Sequence, residues 1–161
     1  KSICFPIFLF SGVLFFILDF LRLKNSKIKN LYNIFFGIVT RDYEKDRLTS
    51  ASYVFLSLII VTAIFDVRIA SASLFIMSLS DSLASLIGKT YGKLSIFEKT
   101  IEGSIVFFII TVLILLWFNF PSDKILYVAI SCTFVELVSN RIKIDDNLLV
   151  PLTASFLLFI F

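Results

Sequence analysis

Residues Asp81 to Gly103 read DSLASLIGKTYGKLSIFEKTIEG and place acids, three glycines and three lysines in an otherwise apolar chain. Asp81, Ala84 and Gly88 are spaced so that they lie on one face of a helix. A face of small residues lets a second helix or a ligand approach the backbone closely. Glycines can admit a phosphate to backbone N–H groups, lysines can neutralise its charge, and an acid can hold the accompanying metal ion. We therefore expect this stretch to organise both the fold and the site.

The composition of the chain is typical of a membrane protein. Hydrophobic residues make up 58% of it, 20 of the 161 residues are Phe, and the mean hydropathy is +0.98. These values exceed what a soluble domain of this size tolerates. Cys4 and Cys132 both lie in apolar runs and there is no histidine, which excludes a disulfide framework, a zinc site and histidine acid–base chemistry. Carboxylates, lysines and backbone groups remain to carry any reaction.

The apolar runs predict an all-α fold, a polytopic transmembrane helical bundle with about six spans. The predicted spans are residues 2–22, 50–66, 69–87, 103–120, 124–139 and 147–161. With the N-terminus outside, most of the 15 basic residues fall in cytoplasmic loops, as the positive-inside rule requires. We therefore expect an integral membrane protein whose site faces the cytoplasm, with no nucleic-acid partner. We expect one domain over residues 1–161, and the start at Lys1 instead of methionine suggests that an N-terminal piece is absent.

An amphipathic segment follows the first predicted span. Ile28, Leu31 and Phe35 recur at helical spacing with Lys27 and Lys29 on the other side, which predicts a helix lying in the inner membrane interface. The charged run that follows, with Arg41 and Glu44 as i,i+3 neighbours, favours a solvated linker by its spacing alone.

Acids at the ends of the spans fall at one membrane level. When each apolar run is extended to the length that crosses a membrane, acids from four helices fall at the cytoplasmic edge: Asp19, Asp81, Glu136 and the Asp145–Asp146 pair. Acids at membrane depth are costly and usually face a cavity, a metal ion or a cation. Each alone is explained as a helix-end acid paired with a nearby base, such as Asp19 with Arg22. Together they favour a shared polar site.

The opening stretch resembles the signature of the CTP-dependent lipid kinases, the family of dolichol, phytol and yeast-type diacylglycerol kinases, which is related to phosphatidate cytidylyltransferases. The pattern is Asp-x2-Ala-x3-Gly-x3-Gly followed by Lys-Thr-x-Glu-Gly. It is carried by Asp81, Ala84, Gly88, Gly92, Lys93, Lys99, Thr100, Glu102 and Gly103. It is not a Walker A loop, because no Gly-Lys-Ser/Thr ends a strand. The plainer interpretation is a glycine-containing loop between two membrane helices, with lysines placed by topology.

The resemblance implies phosphorylation of a membrane lipid or isoprenoid alcohol by CTP, with Mg²⁺ or another divalent cation as cofactor. Asp81, Glu136 and Asp146 are then the expected metal ligands, and one of the last two also serves as base for the alcohol. Lys99 stabilises the developing charge, so that these four residues form the expected catalytic set. The expected nucleotide-binding residues are Gly88, Gly92, Lys93, Lys99, Thr100, Glu102 and Gly103.

Two other functions stay open. A CDP-lipid synthase of the phosphatidate cytidylyltransferase type would use the same CTP, metal and membrane face, although the histidine-containing run characteristic of those enzymes is absent. A small transporter with an ion path of buried acids would not require two lysines and two glycines in one short loop.

Overall fold

A computed structural model describes residues 4–37, 45, 47–97, 99–142 and 144–161. Regular structure in these residues is helical except for one hairpin, made by β1 (Ser95–Ile96) and β2 (Lys99–Thr100). A π-helical turn, Ile76–Ser80, joins α4 and α5 into one continuous helix. The helices are α1 (Cys4–Lys24), α2 (Ser26–Phe36), α3 (Ser50–Ile64), α4 (Val67–Phe75), α5 (Asp81–Tyr91), α6 (Ile101–Trp117), α7 (Ser122–Ile142) and α8 (Asp146–Ile160).

A helix occupies each of the six segments predicted as spans, and the all-α prediction is confirmed. Among the described residues, two helices, Phe5–Lys24 and Val67–Tyr91, are long and apolar enough to cross a membrane. Three others are apolar but shorter: Ser50–Ile64, Ile101–Trp117 and Asp146–Ile160. Helix α7 has 21 residues but carries several charges, including Glu136 and Arg141. Six membrane crossings therefore stay a prediction.

The chain forms two compact units, Lys1–Ala63 and Ile64–Phe161. In the first, the predicted amphipathic helix is confirmed as α2, which begins where the Asn25 side chain accepts a hydrogen bond from the Lys27 N–H. Leu31, Ile34 and Phe35 are exposed on it. Its place in a membrane interface stays a prediction, as does the single domain. Arg41 and Glu44 lie outside the described residues.

A buried ion pair is the main polar feature of this first unit. Asp19 Oδ1 lies 2.7 Å from an Arg22 guanidinium nitrogen, as the i,i+3 spacing predicted, and both side chains are fully buried. Asp19 Oδ2 accepts from the N–H of Thr49 at 2.7 Å and from the hydroxyl of Ser52 at 2.7 Å. Arg22 also donates to the carbonyl of Arg47. The carboxylate thereby fixes the start of α3 against α1.

The second unit packs α5 along α6, α7 along α8, and α4 against α8. Two buried hydroxyl pairs link the helices: Ser155 donates to Ser73 at 2.7 Å, and Thr111 donates to Ser80 at 3.1 Å. Small and hydroxyl side chains let helices approach closely and satisfy each other's polar groups. Ser73 and Ser80, which precede Asp81, thus serve helix packing.

Candidate active site

The centre of the candidate site is the ammonium group of Lys99, which lies among three carboxylates. Its Nζ is 2.5 Å from Glu136 Oε1, 2.7 Å from Asp146 Oδ2 and 3.9 Å from Asp81 Oδ1. These are the four residues predicted as the catalytic set. The structure therefore brings together side chains that are far apart in the sequence.

Each of the four side chains comes from a different element. Asp81 begins α5 directly after the π-helical turn, and Glu136 lies on α7 about one and a half turns before its end. Asp146 is in the first turn of α8, and Lys99 begins β2. A π-helical turn shifts the helical register and is common at functional sites. Here the turn directly precedes Asp81, and its last residue, Ser80, accepts a buried hydrogen bond from Thr111.

The neighbouring carboxylates determine the protonation state of Lys99. Burial alone would lower the pKa of Lys99, but the carboxylates of Asp146 and Glu136 outweigh it and raise the pKa above its ordinary value of 10.5. Lys99 is therefore a cation throughout the physiological range. One ammonium among three carboxylates leaves an excess of negative charge, which a further cation would balance.

The acids suit magnesium in donor type, because Mg²⁺ prefers carboxylate oxygens. Glu136 Oε2 is buried and has no hydrogen-bond partner among the described residues, so one ligand oxygen is available. As the side chains stand, no three His, Cys, Asp or Glu residues in the described part of the chain are grouped so that they could hold a metal ion. The Lys99 ammonium lies between the acids instead. Their role as metal ligands stays a prediction.

Three of the predicted nucleotide-binding residues are glycines that pack around Thr100. A Cβ at Gly88 would lie 2.6 Å from Thr100 Oγ1, one at Gly92 would lie 2.6 Å from Thr100 Cγ2, and one at Gly103 would lie 3.0 Å from Thr100 Oγ1. Thr100 is also the N-cap of α6, where its Oγ1 accepts from the N–H of Gly103. The glycines thus let α5, the hairpin and α6 meet closely.

Backbone donors in the loop are engaged within the chain. The N–H of Gly92 donates to the carbonyl of Gly88, and the N–H of Lys93 donates to Glu102 Oε1 at 3.0 Å. The Lys93 side chain is exposed. Packing therefore accounts for the glycines in this arrangement, whereas Glu102 uses Oε1 for the Lys93 N–H and its buried Oε2 has no hydrogen-bond partner among the described residues. Their predicted contact with phosphate stays a prediction.

Two residues of the site region were not anticipated from sequence. Arg141 lies over the ring of Phe97, with its guanidinium carbon 3.9 Å from the ring centroid. Phe97 occupies the hairpin turn with a positive φ of 57°. In the sequence, the positive-inside rule is enough to explain an arginine near the end of α7, so no signal predicted this contact.

Comparison with known proteins gives the chain relatives of two kinds. It is 36% identical over 118 residues to an uncharacterized protein of Methanocaldococcus jannaschii, covering 71% of this chain and 60% of that protein. It is 30% identical over 146 residues to an uncharacterized protein of Rickettsia prowazekii, covering 84% of this chain and 71% of that protein. The chain belongs to the family of the Rickettsia protein. No family model matches it, and no solved structure matches it significantly.

Two further relatives carry the name of an activity. The CTP-dependent diacylglycerol kinase 1 of Saccharomyces cerevisiae is 30% identical over 116 residues, covering 70% of this chain and 40% of that protein. A probable chloroplastic phytol kinase of Triticum aestivum is 31% identical over 144 residues, covering 75% of this chain and 48% of that protein. The chain is a distant homologue of lipid kinases and spans less than half the length of these two.

Proposed function

We propose that this protein transfers a phosphoryl group from CTP to the hydroxyl of a membrane lipid or isoprenoid alcohol of the diacylglycerol, dolichol or phytol type. The observation that carries the proposal is the position of Lys99 within 4 Å of Asp81, Glu136 and Asp146. Phosphoryl transfer depends on charged groups held in position more than on covalent chemistry by the protein. A lysine held among three carboxylates provides such charged groups. Two distant homologues named as lipid kinases support the same reaction.

The roles of the acids follow from their surroundings. Glu136 is almost fully buried, with 4% of its side chain exposed, and its Oε2 has no hydrogen-bond partner among the described residues. A desolvated carboxylate of this kind is suited to accept the proton of the acceptor hydroxyl. Asp81 and Asp146 are more exposed, at 31% and 21%, and would hold a magnesium ion together with Glu136. That ion would neutralise phosphate charge when bound.

Lys99 has two functions in this proposal. It balances the acids, and its ammonium is available to stabilise negative charge that develops on the transferred group. The raised pKa of Lys99 keeps the group protonated, so it acts as a fixed cation and does not exchange protons with the substrate. Gly88, Gly92, Lys93, Thr100, Glu102 and Gly103 are proposed to line the nucleotide side of the site.

The apolar helices are suited to bring the acceptor to this site. A lipid alcohol dissolved in the membrane could diffuse laterally between helices such as Val67–Tyr91 and keep its hydroxyl near the interface. The nucleotide would enter from the water on the cytoplasmic side, where the positive-inside pattern puts the loop that follows α5.

Labelled CTP tests the proposal directly. Purified protein in lipid vesicles is supplied with diacylglycerol, polyprenol, phytol or phosphatidate, Mg²⁺, and CTP labelled at either the α or the γ position, with ATP labelled at the γ position as comparison. Transfer of γ-label from CTP into extracted lipid, absent from a Lys99→Met variant, is the expected result. Transfer of α-label would instead identify a CDP-lipid synthase. Transfer of neither label to any acceptor would contradict an enzymatic role of either kind.

A further inference from the structure

The hairpin that carries Lys99 turns through an unusual residue. Phe97 has φ of 57°, a left-handed conformation that a bulky side chain rarely adopts. Such a conformation persists only where neighbouring contacts hold it, and it is common next to functional groups. The strands are only two residues each, pairing Ser95 with Thr100 and Ile96 with Lys99. So short a hairpin is marginal alone, and contacts outside it must fix its position.

One such contact comes from α7. The guanidinium carbon of Arg141 lies 3.9 Å from the centroid of the Phe97 ring, well within the range of a cation–π interaction. Arg141 is on the helix that also carries Glu136, and Phe97 is two residues before Lys99. The hairpin and α7 are therefore joined twice, by the Arg141–Phe97 contact and by the Lys99–Glu136 ion pair.

Other contacts of the hairpin lie along β2, where Thr100 packs against α5 and Lys99 pairs with Asp146 of α8, and at its base. The N–H of Ile101 donates to the carbonyl of Leu94, and the N–H of Lys93 donates to Glu102. Both tie the base of the hairpin to the start of α6 and leave the tip to other contacts. Among the described residues near the tip, the Arg141 guanidinium is the charged group that meets the turn from α7.

We infer that Arg141 and Phe97 form a clasp that positions Lys99 among Asp81, Glu136 and Asp146. Both are positioning residues, since they act through Lys99 and not on the substrate. The inference rests on the proposed function where it predicts activity, but the placement of Lys99 is measurable without any reaction. A contact that merely covers the protein surface would leave Lys99 unaffected.

The test uses chemical labelling of lysine amines, read by mass spectrometry on the full chain in vesicles. Lys89, which is exposed on α5, is the internal reference. The variants are Phe97→Leu, which removes the ring, Phe97→Tyr, which keeps it, and Arg141→Gln, which removes the cation. Labelling of Lys99 relative to Lys89 should rise about threefold to fivefold in Phe97→Leu and Arg141→Gln, as expected for loss of one partly exposed cation–π contact. It should stay at the parent level in Phe97→Tyr.

The double variant completes the test. Phe97→Leu with Arg141→Gln should label no more than either single variant, because each alone already breaks the clasp. In the kinase assay these variants should lower kcat by a similar factor and leave the KM for CTP within about twofold, with recovery in Phe97→Tyr. Parent-level labelling of Lys99 in both Phe97→Leu and Arg141→Gln would overturn the clasp. A change in labelling without lipid phosphorylation by the parent would instead count against the proposed function alone.

Discussion

The Nζ of Lys99 donates a hydrogen bond of 2.7 Å to Oδ2 of Asp146, across 47 positions of the chain. This contact connects the hairpin to the start of α8. The neighbouring carboxylate, Asp145, faces its own helix and caps it by accepting from the N–H of Asn147 at 3.0 Å. Two adjacent aspartates thus have different surroundings, one in the charged cluster and one at a helix end.

This difference gives a matched pair of variants. Asp146→Asn removes a charge from the cluster and should lower kcat about 100-fold, the usual cost of losing one charged contact in a transfer site. Asp145→Asn removes the same charge one residue away. Because asparagine is as good an N-cap as aspartate, this variant should keep activity within about twofold. The measurement is transfer of γ-label from CTP to lipid at saturating substrates.

Magnesium dependence adds a second measurement on the same pair. If Asp146 is a metal ligand, Asp146→Asn should need more Mg²⁺ for half-maximal activity, whereas Asp145→Asn should match the parent. Equal activity of the two variants would contradict a special role for Asp146.

Lys99→Met should destabilise the protein, because it leaves three acids without their shared cation. The expected loss is about 2 to 4 kcal/mol, since the group is largely buried and removal of one partner leaves the others uncompensated. The loss should shrink as the pH falls toward the carboxyl range, where protonation relieves the repulsion. Lys99→Arg keeps the charge and should retain most of the stability. Thermal unfolding in detergent at several pH values measures this.

The parent itself should show the opposite pH dependence at the alkaline end. A pKa raised in the folded state gives stability that is fully present below the unfolded value of 10.5 and is lost as the pH rises through the folded pKa. Lys99 should therefore contribute no change in stability between about pH 6 and pH 9. A loss of stability in that range that Lys99→Arg abolishes would contradict the raised pKa.

The six helical segments could be predicted because each apolar run ends at charged or turn-forming residues, and their boundaries agree with the helices within a few residues. The cluster around Lys99 could be anticipated because Asp81, Glu136 and Asp146 are acids in apolar segments. Acids in such segments usually face a cavity, a metal ion or a cation. What the spacing could not show is that Lys99 lies between the acids. That depends on the hairpin turn at Phe97, and a positive φ at a phenylalanine leaves no mark in the sequence.

The role of the glycines could not be predicted from the sequence either. In the sequence, a glycine between two helices is equally compatible with phosphate binding and with close packing. The position of Thr100 in the structure shows that these glycines allow close packing. Asp19 illustrates the opposite case. Its pairing with Arg22 follows from i,i+3 spacing alone, while its contacts with Thr49 and Ser52 needed the fold.

Asp19→Asn should destabilise the first unit by about 3 kcal/mol, because the amide cannot accept all the hydrogen bonds of the buried carboxylate and leaves Arg22 without its counter-charge. Ser52→Ala is the control. It removes one of the donors to Asp19 Oδ2 while Thr49 remains, and should cost about 1 kcal/mol. Thermal unfolding of both variants in detergent measures the difference. Equal losses would contradict the central role of the carboxylate.

Gly88→Ala tests whether packing or phosphate contact explains the glycines. The added Cβ would lie 2.6 Å from Thr100 Oγ1, so the variant should lose about 1 to 3 kcal/mol of stability through overpacking. Thr100→Ala removes that oxygen but also the cap of α6, and alone should cost about 1 kcal/mol. With the clash gone, Gly88→Ala combined with Thr100→Ala should be less destabilised than the sum of the two single variants, since the two positions are in contact.

The double variant then separates the two explanations for Gly88, because its stability no longer masks a binding defect. If Gly88 serves packing alone, the double variant should have the same KM for CTP as Thr100→Ala. If its backbone also meets phosphate, the methyl group should raise the KM for CTP further, about tenfold for one lost hydrogen bond to a charged group. Strictly additive losses of stability would show that the Cβ meets something other than Thr100, and would contradict close packing of Gly88 against Thr100.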